Sequence, residues 1–454
     1  MTLLNKLFLQ KLALICTVLL ISACGGGAST TISSSPSIAD LTTLAENATA
    51  QPLVIAPTGL NSNQVVSAAL GIPNAGLPGI ADVYVGTLDL PYYFDTTNSL
   101  TSSWLPSLAL RETITVPLMM TLPNVGTRPA TGWPIVMYQH GITRNRTDVL
   151  LYADAQAAAG FAMIAIDLPT HGLVDTNNPF NATMTAFPTD IEQTFGANTT
   201  SGQNFINLRS LLTSRDNLRQ GAANLLTLRK SLGGIINAAT MMPESIDSSK
   251  VGLIAHSLGG MVAIPYLAVE TTPTPSSLVM AGTTITDTLR NSASFSPVIE
   301  AGLAGLGVTS PAGIAGFYAN AQELIDAGEP ANYAAAAAAN HPIHLIEVVG
   351  DGGAVNLPDQ TVPNVATENL VTLMGASSVS TTTPGIAAGN PGIVRFTEGA
   401  HSSPLDPTAS PAATVEIQTQ LANFQGSAIS ASGPVIVISN GCVIEDGVCS
   451  MMPQ

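Results

Sequence analysis

Hydrophobic positions along this chain fall into short runs that are apolar on both faces, with stretches of helical spacing between them. Runs at 134–138, 161–166, 250–255, 277–282, 344–349 and 392–396 predict buried strands. Residues 148–159 and 214–231 predict helices. The second places Leu218, Ala222, Leu225 and Leu228 on one face, with Ser214 as its cap. Strands that alternate with helices and are apolar on both sides predict an α/β class. The expected architecture is a mostly parallel central sheet covered by helices on both faces. Residues 51–127 are punctuated by Pro and Gly and carry runs at 81–88 and 113–120, which predicts a β-rich N-terminal extension. Residues 173–205 are irregular and predict a long surface excursion. Residues 286–340 are small, apolar and helical, with Phe295, Val298, Ile299, Leu303, Leu306, Ile314, Phe317 and Tyr318. They lie between two core strands, so they form either a lid over a site or a second packed helical layer. The main domain spans 128–425, and 426–454 is a C-terminal tail.

The first residues follow a different pattern. Lys6 and Lys11 precede an apolar run at 12–21 that ends in Ser22-Ala23-Cys24. A positive start, a short apolar run and small residues before a cut site predict a secretory signal over 1–23. The run is too short to cross a bilayer comfortably. Ile21-Ser22-Ala23-Cys24 resembles a bacterial lipoprotein box, which implies acylation of Cys24 and a membrane anchor. Gly25 after the cysteine implies sorting to the outer membrane by the same resemblance, with secretion or the periplasm as the alternative. Residues 24–50 are rich in Ser, Thr, Ala and Gly and predict a flexible tether.

Composition adds two exclusions. With 46% hydrophobic and 10% charged residues, the chain can bury a large core. Its net charge of −16 and only 14 basic residues exclude a nucleic-acid partner, which needs clustered Lys and Arg. Arg144 and Arg146 come nearest to a cluster and are expected in a solvated loop. Of four cysteines, only Cys442 and Cys449 lie beyond the signal and the lipidation site. In an oxidising compartment they are expected to close a small disulfide ring, contributing about 2–3 kcal/mol by the chain-entropy model. A metal site would lack its other ligands.

The chemistry concentrates in Ala255-His256-Ser257-Leu258-Gly259, a strand end, a serine and a helix start. Small residues two before and two after the serine let strand and helix backbones nearly touch, as in the nucleophile elbow of α/β-hydrolases. A serine hydroxyl needs a base, and the base needs an orienting acid. In this fold the order along the chain is serine, acid, histidine. Of the six histidines, at 140, 171, 256, 341, 344 and 401, only His401 follows the strand that should carry the acid. After that strand come two candidates. Asp359 opens Asp-Gln-Thr-Val-Pro, which matches a context common in α/β-hydrolases, while Asp351 sits closer to the strand end. The Leu258 N–H is the expected first oxyanion donor. The Ile142 N–H, after a His140-Gly141 turn similar to that of many lipases, is the expected second. Asp167-Leu168-Pro169-Thr170-His171-Gly172 is read as a structural turn, with His171 bonded locally.

With these motifs in order, the core from about 113 to 405 looks like a bacterial lipase of the α/β-hydrolase fold. Tyr92-Tyr93-Phe94-Asp95, Trp104-Leu105-Pro106 and Tyr138-Gln139-His140-Gly141 resemble the bacterial virulence-factor lipases. These are surface-exposed lipoproteins with lipase or lysophospholipase activity. The resemblance implies cleavage of fatty-acyl esters through an acyl-enzyme, with no cofactor and no metal. The chain is shorter than the long members of that family, and its protein partners are left open. Two other readings stay open. One is an acyltransferase or polyester depolymerase with the same triad. The other is a non-catalytic surface lipoprotein, which an intact serine and histidine speak against.

Overall fold

The computed structural model describes residues 38–72, 76–93, 110, 112–181, 200–202, 204–207 and 210–448. The signal segment, Cys24, Phe94, Asp95, Trp104-Leu105-Pro106, most of the 173–205 excursion and Cys449 lie outside them.

Among the described residues, twelve strands form one sheet. In chain order they are β1 (Leu53–Asn61), β2 (Ala81–Tyr92), β3 (Glu112–Pro123), β4 (Trp133–Gln139), β5 (Ala162–Ile166), β6 (Ile235–Asn237), β7 (Met242–Pro243), β8 (Ile246–His256), β9 (Ser276–Val279), β10 (Ile343–Val348), β11 (Ser377–Ser378) and, after a short β12 (Thr383–Pro384), β13 (Gly392–Phe396). Their spatial order is β11-β13-β10-β9-β8-β4-β5-β3-β2-β1-β6-β7. From β5 across to β13 neighbouring strands run parallel. β3 pairs antiparallel with both β5 and β2. Between β2 and β13, a parallel sheet with one reversed strand near its start and β4 and β5 exchanged in space is the α/β-hydrolase order.

Every residue of β4, β5 and β10 is buried. Burial on both faces is why β5 and residues 133–138 of β4 are unbroken apolar runs, while β10 buries His344 and Glu347 among its apolar residues. Ile135, Met137 and Ile164 belong to the core on one face, and Val136, Tyr138 and Met163 to the core on the other. The parity of each strand thus divides its side chains between two apolar layers.

Several expectations need correction. The tether does not extend to residue 50. Residues Ile38–Asn47 form a helix whose Leu41 and Leu44 enter the main core. Burial of each is worth about 1.5–3 kcal/mol, enough to hold a short helix in place. The N-terminal region 51–127 is β-rich, and its β1, β2 and β3 continue the central sheet. The helix Leu211–Ser231 begins before Ser214. The Ser214 hydroxyl instead accepts from the Asn207 N–H at 2.7 Å. Arg146 is buried rather than solvated. It pairs with Asp167 and donates to the Phe180 carbonyl at 2.7 Å.

The 286–340 segment divides in two. Helices Ile285–Asn291, Ser296–Gly305 and Pro311–Ile325 share a small apolar cluster of their own, centred on Ile299, Leu303 and Tyr318. The helix Ala334–Asn340 instead buries Ala334, Ala337 and Ala338 in the main core. The insertion's neck is clasped by Glu329, which is buried. Its carboxylate accepts from Thr284 N–H at 2.7 Å, Ile285 N–H at 2.9 Å, Thr283 Oγ1 at 3.1 Å and Gln322 Nε2 at 3.1 Å.

The C-terminal segment is also integrated. The helix Pro411–Ala428 leads to β14 (Val435–Ile436), which pairs with β12. Beyond it, Ile444 bridges Phe396 of β13. Thr397 N–H donates to Val443 O and Glu445 N–H to Arg395 O, each at 2.9 Å. Cys442 is disulfide-bonded.

Candidate active site

β8 delivers Ser257 to the carboxyl end of the sheet, and the helix Leu258–Val269 starts at the next residue. Ser257 sits at φ 57° and ψ −124°. Such a conformation costs a non-glycine residue about 1–3 kcal/mol and persists only where its surroundings over-determine it. Here they do. The Ser257 N–H donates to Val279 O at 2.8 Å. A Cβ on Gly259 would lie 2.4 Å from the Gln139 carbonyl oxygen, so only glycine lets β4 approach the helix start. Ser257 is 3% exposed, and its hydroxyl makes no hydrogen bond to a described residue.

His401 arrives on the loop after β13. Gly399 turns that loop at φ 114°, and Ser403 Oγ accepts the Ala400 N–H at 2.8 Å. His401 Nδ1 lies 2.6 Å from Asp359 Oδ2. A carboxylate can only accept, so Nδ1 carries the proton and Nε2 keeps its lone pair. Asp359 is itself fixed. Its Oδ1 accepts the Thr361 and Val362 N–H groups at 2.7 and 3.0 Å. Its own N–H donates to Val348 O at the end of β10.

Asp351 is placed elsewhere. It lies in an exposed turn, where its carboxylate accepts the Gly353 N–H at 2.7 Å and Asn356 Nδ2 at 2.8 Å. Those hydrogen bonds hold its pKa below the usual aspartate value. The structure therefore joins His401 to Asp359 and leaves Asp351 to cap a surface turn.

The second backbone donor lies on a tight turn. Arg144 N–H returns to Gly141 O at 3.2 Å across Ile142 and Thr143, with Thr143 at φ 65°. Gly141 O also accepts from His140 Nδ1 at 2.8 Å. The peptide plane is thereby fixed, and the Ile142 N–H must point opposite the held carbonyl. A Cβ on Gly141 would stand 3.0 Å from Ser257 Cβ and 3.5 Å from Ser257 Oγ, so this turn lies directly against the serine. Neither the Ile142 N–H nor the Leu258 N–H donates to a described residue. Unspent backbone donors beside a strained serine suit an oxygen that gains negative charge.

The other histidines are buried and neutral. His140 Nε2 accepts the Leu168 N–H at 3.0 Å, tying the Gly141 turn to the turn after β5. His171 Nδ1 donates to Pro169 O at 2.9 Å, a local bond. Burial pushes both pKa values down to about 3. His256 touches His401 twice: Nε2 lies 2.9 Å from the His401 carbonyl oxygen, and the rings stack at 5.1 Å. Sequence reasoning used His140 and His256 only as positions in motifs. Their contacts span 28 and 145 residues, which no local pattern reveals.

Among the described residues, no group of three or more His, Cys, Asp or Glu side chains could hold a metal ion. No described helix is long and apolar enough to cross a membrane.

No family model matches the chain, and no relative of curated function matches it in sequence. Solved structures with some likeness include the acetyl xylan esterase from Paenibacillus sp. R4, at 12% identity and TM-score 0.38, covering 80% of this chain and 87% of that one. Acetyl xylan esterase 1 from Thermoanaerobacterium sp. JW/SL YS485 is 13% identical with TM-score 0.40, covering 86% and 99%. An acylaminoacyl peptidase from Pyrococcus horikoshii is 10% identical with TM-score 0.41, covering 76% of this chain and 48% of that one, so this chain spans about half its length. These are likenesses of outline, and the α/β-hydrolase fold is read from this chain's own strand order.

Proposed function

We propose that the protein is a serine carboxylester hydrolase. The observation that carries this reading is the His401–Asp359 pair at 2.6 Å, with the acid and the histidine following Ser257 in the chain order this fold uses. In the reaction, Ser257 Oγ attacks the ester carbonyl and its proton passes to His401 Nε2. Asp359 keeps the imidazole in the tautomer that can accept it and stabilises the imidazolium that forms. The Ile142 and Leu258 N–H groups hold the oxyanion. The imidazolium then protonates the departing alkoxide, and water, activated by His401, releases the acid from the acyl-serine.

The finer reading is an esterase of apolar acyl chains, lipase-like or lysophospholipase-like. It is supported by the resemblance to virulence-factor lipases and by the apolar insertion 285–325, which carries Phe295, Ile314 and Phe317 partly exposed around its cluster. The Cys24 anchor, an outer-membrane address and surface display belong to the same proposal. The test is labelling with a fluorophosphonate together with turnover of p-nitrophenyl esters from acetate to palmitate and of a lysophospholipid. Wild-type protein should label and hydrolyse, and Ser257→Ala should do neither. Labelling that persists in Ser257→Ala would refute the assignment.

A further inference from the structure

We propose that His256 is the positioning residue that sets the spacing between the nucleophile and the base, by pinning His401 through both its backbone carbonyl and its ring. This rests on the hydrolase reading above.

The geometry is specific. A carbonyl oxygen can only accept, so the 2.9 Å contact from His256 Nε2 to His401 O fixes the proton on Nε2. The two imidazoles also stack, with centroids 5.1 Å apart and planes inclined by 30°. His256 is joined to Ser257 by one peptide bond. The serine hydroxyl makes no hydrogen bond to a described residue, so it does not secure the base itself. His401 is held on one side by Asp359 through Nδ1 and on the other by His256 through its main chain and ring face. One rigid peptide link therefore sets how far the base stands from the nucleophile.

His256 is costly in this place. It is buried, and its Nδ1 has no hydrogen-bond partner among the described residues. An apolar ring would fill the same space without stranding a buried nitrogen. What an apolar ring lacks is the donor to His401 O. Neutrality is part of the design, because His401 becomes cationic during the reaction. The groups facing His256 are His401, with Asp359 behind it, and Arg144 and His140 from the turn after β4. Burial, and after it the His401 charge, hold the His256 pKa well below the ordinary value. The stacked ring therefore does not compete for the proton that His401 takes.

The experiment compares His256→Phe, which keeps a ring and loses the donor, with His256→Gln, which keeps a donor at the reach of Nε2. Steady-state kinetics on p-nitrophenyl butyrate are read beside thermal melting. In the Phe variant kcat should fall about tenfold or more with KM changed less than about twofold, because misplacing a catalytic group costs rate rather than ground-state binding. The Gln variant should recover most of that loss. Its kcat/KM should keep the wild-type acid limb, since His256 does not titrate in that range.

A folded Phe variant with wild-type kcat, an equal loss in Phe and Gln, or a loss carried by KM overturns the proposal. So does an acid limb moved by about one unit or more in Gln. Should Phe fail to fold, the Gln variant and its pH profile decide alone. Wild-type protein that neither hydrolyses esters nor labels at Ser257 refutes the hydrolase reading itself, and the positioning role with it.

Discussion

His401 Nδ1 stands 2.6 Å from Asp359 Oδ2, while Asp351, eight positions earlier, spends its carboxylate on Gly353 and Asn356. The two aspartates leave the same strand end and have different work. Asp359→Asn should lower kcat by about 10⁴, because the amide favours the wrong imidazole tautomer. Asp351→Asn should stay within about twofold, as a surface turn change. Parallel kcat measurements on one p-nitrophenyl ester check both, and equal losses would mean the acid is misassigned.

Gly141→Ala should damage catalysis without unfolding the chain. The added methyl would meet Ser257 Cβ at 3.0 Å and push the turn away from the serine. Displacing one oxyanion donor costs about 10²–10³ in kcat. The expected pattern is a loss in kcat with a melting temperature near that of wild type. A melting temperature that collapses with the activity would assign Gly141 to folding instead.

Acid should unfold this protein through its histidines. Burial holds the pKa values of His140, His171 and His344 down at about 3, against an ordinary value of 6.5. The unfolded chain therefore binds more protons between these limits. Stability from this source is complete above pH 6.5 and is lost as the pH falls toward 3, at up to about 1.4 kcal/mol per pH unit for each proton. Urea midpoints should fall steadily from pH 6.5 to 4. His344→Gln, which cannot take up that proton, should make the fall shallower. An unchanged slope would place the acid sensitivity elsewhere.

Glu329→Gln should loosen the neck of the 285–325 insertion. The carboxylate meets donors from Thr283, Thr284, Ile285 and Gln322, and an amide would turn an N–H₂ toward some of them. Leaving such buried donors unsatisfied costs about 1–3 kcal/mol. Limited proteolysis should cut the variant within 285–325 faster than wild type, with the main domain intact. Equal cutting rates would show that the clasp does not govern the insertion.

Much of the site was legible because it is local or unique. The elbow is a contiguous pattern, and His401 was the only histidine in the required place. The choice between Asp359 and Asp351 was not legible, because both follow β10 in turn-rich sequence. It is decided by the Asp359 N–H returning to Val348 O, a bond set by how the loop folds back. Composition hid the helix Ile38–Asn47, whose two core leucines sit in a Ser- and Thr-rich stretch. Arg146 was misread for a related reason: its partner Asp167 is 21 residues away, on the next strand's end.

The strand that delivers His401 is completed from further along the chain. Arg395 and Thr397 each use a hydrogen bond to Glu445 or Val443, and Ile444 is buried against this edge. A polypeptide emerges from its N-terminus onward, so β8, the loop that carries Asp359 and β13 are all made before the residues that brace the end of β13. The last-made part of the described chain is thus the part that braces the end of β13, from which the loop to His401 departs. Closure of the strand that precedes His401 therefore waits on synthesis of the tail.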